Sequence, residues 1–120
     1  MSDRRNGDTV YLDKQLAIKR TSSPSGLTLA GAIDYFNVDA VAQTLALVLD
    51  GGGDMHIDLS RLEFCDVSGI RALVTIAEGL NGRGRLLLHG LPEGLQNVLT
   101  VVGWTDLPSL VISDGGHQEQ

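Results

Sequence analysis

The stretch IDLSRLEFCDVSGIRALV, residues 57–74, changes its periodicity partway through, and the two periods together decide the architecture. Met55, Ile57 and Leu59 alternate with His56, Asp58 and Ser60, which reads as a strand buried on one side and polar on the other. From Ile70 the apolar positions fall at helical spacing, Ile70, Leu73, Val74 and Ala77, with Arg71, Thr75 and Glu78 on the outside. At the junction, Asp66 or Ser68 can cap the first N–H groups of that helix, where the dipole also favours negative charge. Gly69 in the first turn lets another backbone come close.

The same two patterns recur on either side. Leu16 and Ile18 alternate with Ala17 and Lys19, and the turn-forming residues 21–26 (TSSPSG) are expected to connect this strand to a second one. The second strand starts at Leu27 and runs into residues 31–34 (GAID). Val38, Val41, Ala42, Leu45, Val48 and Leu49 then share a helical face, with Asn37 or Asp34 as cap and glycines 51–53 as exit. Residues 81–84 (NGRG) form a turn and 85–89 (RLLLH) a short strand. Leu95, Val98, Leu99 and Val102 mark a third helix after Pro92, and residues 110–112 (LVI) a last edge strand.

The order is β-β-α-β-α-β-α-β, in which alternating helices and strands imply parallel pairs. Because positions 56, 58 and 60 are polar, helices on both faces are disfavoured. The expected fold is α/β: a single mixed β-sheet with its helices layered mainly on one face. The domain is expected to span residues 9–113, with flexible termini at 1–8 and 114–120.

A chain of 120 residues suits one domain with one core. Its formal charge of −6 argues against a non-specific nucleic-acid binder. The start MSDRRNGD lacks the apolar run of a secretory signal, and no segment approaches membrane-spanning length, so the expected location is the cytoplasm. A single cysteine, Cys65, allows no intramolecular disulfide.

Catalytic motifs fail on context. A nucleophile elbow needs Gly-x-Ser-x-Gly, but no glycine precedes Ser68 by two residues, and His56, His89 and His117 have no specified approach to it. Cys65 lacks a basic neighbour and reads as a buried, inert thiol. Glycines 51–53 precede a strand and residues 79–84 follow a helix, whereas a phosphate-binding loop follows a strand and opens a helix. His56, Asp58 and His89 share the polar sheet face without forming a convincing metal set. Neither catalysis nor a cofactor nor a metal is expected. A phosphoryl group on a serine at the 66–69 junction would be electrostatically welcome, which keeps Ser68 as a candidate acceptor.

Residues 57–74 resemble the signature of STAS domains, the fold of bacterial anti-sigma factor antagonists, in which a D-L-S-x-L-x-F run leads to Asp-Ser-Ser-Gly-Leu and a helix. Residues 29–34 (LAGAID) resemble the Gly-Glu-Leu-Asp turn of the same family, and the element order matches over roughly residues 15–112. The resemblance implies a protein-interaction module that docks onto an anti-sigma factor, usually a serine kinase, and thereby regulates transcription. In the family, the kinase phosphorylates the first hydroxyl residue after the aspartate, and the added charge weakens the complex.

This sequence departs from the pattern at that position: Val67 follows Asp66 and cannot carry phosphate. Ser68 matches the second hydroxyl, a structural neighbour of the acceptor. The expected partner surface comprises Asp34, Asp66, Val67, Ser68, Gly69, Arg71 and Thr75, the last two an i, i+4 pair on the exposed side of the helix. The alternatives are a STAS subunit or ligand-binding module of a transporter or sensory complex, and an antagonist phosphorylated at Ser68.

Overall fold

The computed structural model describes residues 8–22, 25–50, 53–101, 103 and 107–113. Among them, the strands β1 (Thr9–Leu12), β2 (Leu16–Ser22), β3 (Ser25–Ile33), β4 (Met55–Cys65), β5 (Leu86–His89) and β6 (Leu110–Ser113) form one sheet in chain order. The first three pair antiparallel, and β3, β4, β5 and β6 pair parallel. Each parallel connection carries a helix: α1 (Val38–Val48), α2 (Val67–Leu80) and α3 (Glu93–Val101). The mixed sheet expected from the alternation is the sheet observed.

Strand alternation sorts the two faces. Leu16, Ile18, Leu27, Leu29, Ile57 and Leu59 are buried, and so are Leu86 and Leu88 on β5. They meet Val41 and Leu45 of α1, Ile70, Leu73, Val74 and Ala77 of α2, and Leu99 of α3 in one cluster. Burying a leucine or isoleucine side chain contributes about 2 kcal/mol, so this face holds the helices against the sheet. The opposite face carries Lys19, Thr28, His56, Asp58 and His89 and lines open cavities.

Three features differ from the sequence reading. Residues 9–12 add a strand before the first expected one, held antiparallel against β2 through Tyr11↔Ile18 and Leu12↔Ala17. The hairpin is tighter than residues 21–26 suggest, because pairing continues to Ser22↔Ser25. Its tip, residues 23–24, lies outside the described residues, as do Gly51, Gly52, Val102, His117 and both expected termini apart from Asp8. Finally, residues 60–65 continue β4 and do not leave the sheet. Their pairing with β3 reaches Ile33↔Cys65 by absorbing two register shifts, one between Thr28 and Ala30 and one between Gly31 and Ala32. Such bulges twist the strand and re-aim its side chains.

Candidate functional site

The carboxyl ends of β3 and β4 and the first turns of α1 and α2 meet at one end of the sheet. Asp66 leaves β4 with extended backbone (φ −86°, ψ 179°) and caps α2, its Oδ1 accepting the Gly69 N–H at 3.2 Å. The same oxygen accepts the Ser68 hydroxyl at 2.5 Å. Asp66 N–H donates to Ile33 O at 3.2 Å, tying the junction to the end of β3. A Cβ on Gly69 would stand 2.6 Å from Cys65 Sγ and 2.9 Å from Ile33 Cγ2. Only glycine lets α2 start so close to both strands.

The neighbouring turn after β3 is built by Asp34 and Asn37. Asp34 Oδ1 accepts the Phe36 N–H at 2.9 Å, and its carbonyl accepts from Asn37 N (3.1 Å) and Val38 N (2.9 Å). Asn37 holds the N-cap position of α1 but makes no side-chain cap bond. Its side chain is buried and works sideways. Its Oδ1 accepts the Asp34 N–H at 3.0 Å, and its Nδ2 donates to Ala32 O (3.0 Å) and Asp13 Oδ2 (3.1 Å).

Asp13, in the β1–β2 connection, completes this clasp. It accepts the Tyr11 hydroxyl and the N–H groups of Gln15 (2.7 Å) and Leu16 (2.8 Å). Burial pushes the Asp13 carboxyl up, but the hydrogen bonds from Tyr11, Gln15, Asn37 and Leu16 outweigh it and hold it below the ordinary value. The chain also comes close at Gly31, whose φ of +122° and approach to Gln15 O exclude a side chain. Asp13 escaped the sequence reading, and Asn37 entered it only as a candidate cap of α1. Their signal was the short-polar chemistry of Asp and Asn at turns.

Apolar side chains surround these turns in the open. Val67 is 53% exposed, Phe64 55%, Tyr35 71% and Phe36 78%, and the Tyr35 and Phe36 rings stack at 4.4 Å. The chain has only five aromatic residues other than histidine, two Phe, two Tyr and one Trp. Three of them stand exposed at this end, and none of these three was singled out from sequence. Asp34, Asp39, Glu63 and Asp66 lie in the same stretches of chain, so acidic residues stand among the apolar ones in sequence.

The expected site residues therefore come together in part. Asp34, Asp66, Val67, Ser68 and Gly69 share this end of the molecule, with Ser68 half-buried and Gly69 buried. Arg71 and Thr75 are exposed on α2, but Thr75 borders the cleft between α1 and α2 with Ala46, Leu49 and Ile76. Cys65 is partly buried, and burial followed by the Asp66 charge pushes its thiol up to about 11. It stays protonated and points its Sγ at Asp66 O, 3.5 Å away.

His56 and His89 pair with each other at the far end of the sheet, Nδ1 to Nε2 at 2.7 Å. His56 stands at the start of β4 and His89 opposite Asp58. At about 3.3 Å per residue, more than about 20 Å of strand separates them from Ser68. No group of three or more His, Cys, Asp or Glu is placed to hold a metal among the described residues, and none of their helices is long and apolar enough to cross a membrane.

A mixed six-stranded sheet with three helices, and a capped strand-to-helix junction at the carboxyl ends of its central strands, defines the α/β architecture. A family model described as "Mlab, STAS domain" matches residues 16–112. The chain belongs to the STAS domain family. Among solved structures it is similar to an anti-sigma factor antagonist from Mycobacterium paratuberculosis, with 21% identity, TM-score 0.60, and coverage of 80% of this chain and 83% of that one. It is also similar to the anti-sigma factor antagonist SpoIIAA in its unphosphorylated form, with 17% identity, TM-score 0.62, and coverage of 84% and 90%. A third similarity is to the murine anion transporter Slc26a9, with 18% identity, TM-score 0.59, and coverage of 75% of this chain but 16% of the transporter. These likenesses establish the fold. The comparison with curated proteins returned no match.

Proposed function

We propose that this chain is a non-catalytic docking module whose partner surface is the end of the sheet bearing Tyr35, Phe36, Phe64 and Val67, and that it binds without phospho-control at position 67. The observation that carries this reading is Val67 itself. It is exposed, as is Phe64, and it holds the first helical position after an intact Asp66 cap, where the family places a hydroxyl. An apolar side chain there adds to a desolvated contact and cannot receive a charge.

The partner that fits best is an anti-sigma factor of the serine-kinase type, which would make the chain a regulator of transcription in the cytoplasm. The family membership and the two antagonist-like neighbours support this choice. A second reading, a STAS subunit of a transport complex, is favoured by the Mlab description of the matching family and by the transporter neighbour. Both readings use the same surface and both need no phosphoacceptor. A gene for an anti-sigma kinase beside this one supports the first, and a transporter permease supports the second.

The direct test is to titrate the candidate kinase into isotope-labelled protein and follow backbone amide shifts. The reading expects changes confined to residues around 34–39 and 64–75. It also expects no phosphate on the chain by mass spectrometry after incubation with the kinase and ATP. Stoichiometric phosphate on Ser68 would overturn the absence of phospho-control. Shifts located elsewhere would overturn the docking surface.

A further inference from the structure

Asn37 is the one buried polar side chain among the described residues, 5% exposed. At a helix N-cap an asparagine side chain ordinarily accepts an N–H of the first turn and stabilises the helix. Asn37 makes no such bond to α1. Its Oδ1 faces one donor, the Asp34 N–H, and its Nδ2 faces two acceptors, Ala32 O and Asp13 Oδ2. The amide therefore fits in one orientation only, with both of its hydrogens engaged. It joins the end of β3, the turn after it and the β1–β2 connection.

Asp13 is itself fixed from behind. Its Oδ1 accepts the N–H groups of Gln15 and Leu16, and its Oδ2 accepts the Tyr11 hydroxyl as well as Asn37. The β1–β2 connection is tied down by two further bonds, Ala32 N–H to Gln15 O at 2.8 Å and Asp13 N–H to Leu16 O at 2.9 Å.

The turn held in this way carries Tyr35 and Phe36. Their rings stack in solvent, 26° from parallel, and neither belongs to the core cluster. A turn that only connected β3 to α1 would have no use for two exposed rings. Asp34, expected from the sequence to contact a partner, has its Oδ1 engaged by the Phe36 N–H within the same turn. A buried polar network thus fixes side chains that contribute nothing to the core. Fixing them before association removes an ordering cost from binding, and rigidly held aromatics serve as anchors of interfaces.

We infer that Asn37, backed by Asp13, is a positioning residue of the docking surface: it holds the 34–37 turn so that the Tyr35–Phe36 stack is presented to the partner in its bound arrangement. The inference rests on the docking reading of this end of the sheet. Asn37 and Asp13 act through the turn, so their effect on binding depends on the match of donor to acceptor between them.

A donor–acceptor exchange tests it. Asn37→Asp sets a carboxylate against the Asp13 carboxylate and the Ala32 carbonyl, with no hydrogen to offer either. Adding Asp13→Asn returns a donor to that contact, now from residue 13, and leaves an oxygen for the Gln15 and Leu16 N–H groups. In isotope-labelled protein without partner, Asn37→Asp is expected to weaken the nuclear Overhauser contacts between the Tyr35 and Phe36 rings. It is also expected to speed exchange of the Phe36 amide at least tenfold. In calorimetric titration with the candidate anti-sigma kinase, the same variant is expected to bind at least tenfold more weakly than the parent. The double variant is expected to recover all three readouts to within about threefold. Leu99→Val, which loosens the core at α3, is expected to leave binding unchanged while all variants remain folded, so lost stability alone does not account for the effect. A parent that does not bind the kinase would defeat the docking reading and the inference with it. Binding by the parent with equal affinity in Asn37→Asp, or a loss that the double variant does not restore, would overturn the inference alone.

Discussion

Ser68 donates its hydroxyl to Asp66 Oδ1 at 2.5 Å, and that same oxygen accepts the Gly69 N–H. Both partners of the carboxylate are thus local, and the serine is engaged in holding a cap. Replacing Asp66 with Ala removes the cap and leaves the start of α2 without it, at an expected cost of about 1 kcal/mol. Ser68→Ala leaves the Gly69 bond in place and is expected to cost less. Urea unfolding of the two variants checks the order, and equal losses would contradict it.

Asn37 connects Asp34, Ala32 and Asp13 across three segments. Asn37→Ala leaves the Asp34 N–H and the Ala32 carbonyl without these partners, for an expected loss of about 2 kcal/mol. Asp13 adds a pH dependence. Its folded carboxyl titrates below the ordinary 3.8, so its contribution is complete above that value and is lost as pH falls through the lowered one. Stability measured from pH 5 downward is therefore expected to fall less steeply in Asp13→Asn than in the parent.

The Cys65 thiol titrates in the opposite sense. Raised from 9.0 to about 11, it keeps its proton in the folded state while the unfolded chain ionises. Its contribution is intact below pH 9 and is lost as pH rises through about 11. Tyr11, pushed up to about 12 chiefly by its bond to Asp13, overlaps the upper part of that range. The difference between the parent and Cys65→Ala isolates the cysteine. A thiol-specific reagent at pH 8 is expected to modify the native protein far more slowly than the unfolded chain.

Gly69→Ala sets two effects against each other. Alanine favours helix by up to about 1 kcal/mol, but its Cβ meets Cys65 Sγ and Ile33 Cγ2 inside normal contact. Overpacking of this kind costs about 1–3 kcal/mol, so a net loss of stability is expected by thermal unfolding. Cys65→Ala in the same chain removes the closer contact and should restore part of it.

The core and the helices were legible in the sequence because burial imposes period: Ile57 and Leu59 on β4, and Ile70, Leu73, Val74 and Ala77 on α2, lie where the spacing puts them. β1 was not legible, because four residues pairing at the sheet edge carry too short an alternation to register. The continuation of β4 through residues 60–65 was hidden by its bulges, which break the period of two that identifies a strand. Asp34, Asp66 and Ser68 were found through the resemblance and through capping chemistry. Phe64, Tyr35 and Phe36 were not found, since isolated aromatics carry no periodicity that tells an exposed ring from a buried one, and only the structure shows these exposed.

The central claim is that partners dock over Val67 and that no phosphate governs the contact. Isothermal titration of the anti-sigma kinase into the parent and into Val67→Glu, with and without prior incubation with ATP, tests it most directly. Because Val67 is half exposed, the variant is expected to keep its stability within about 0.5 kcal/mol. Its charge would enter the contact beside Asp66 and weaken binding at least tenfold, or about 1.4 kcal/mol, while the parent binds equally with and without ATP. Unchanged affinity of the folded variant, or loss of parent binding on incubation with ATP, would contradict the account.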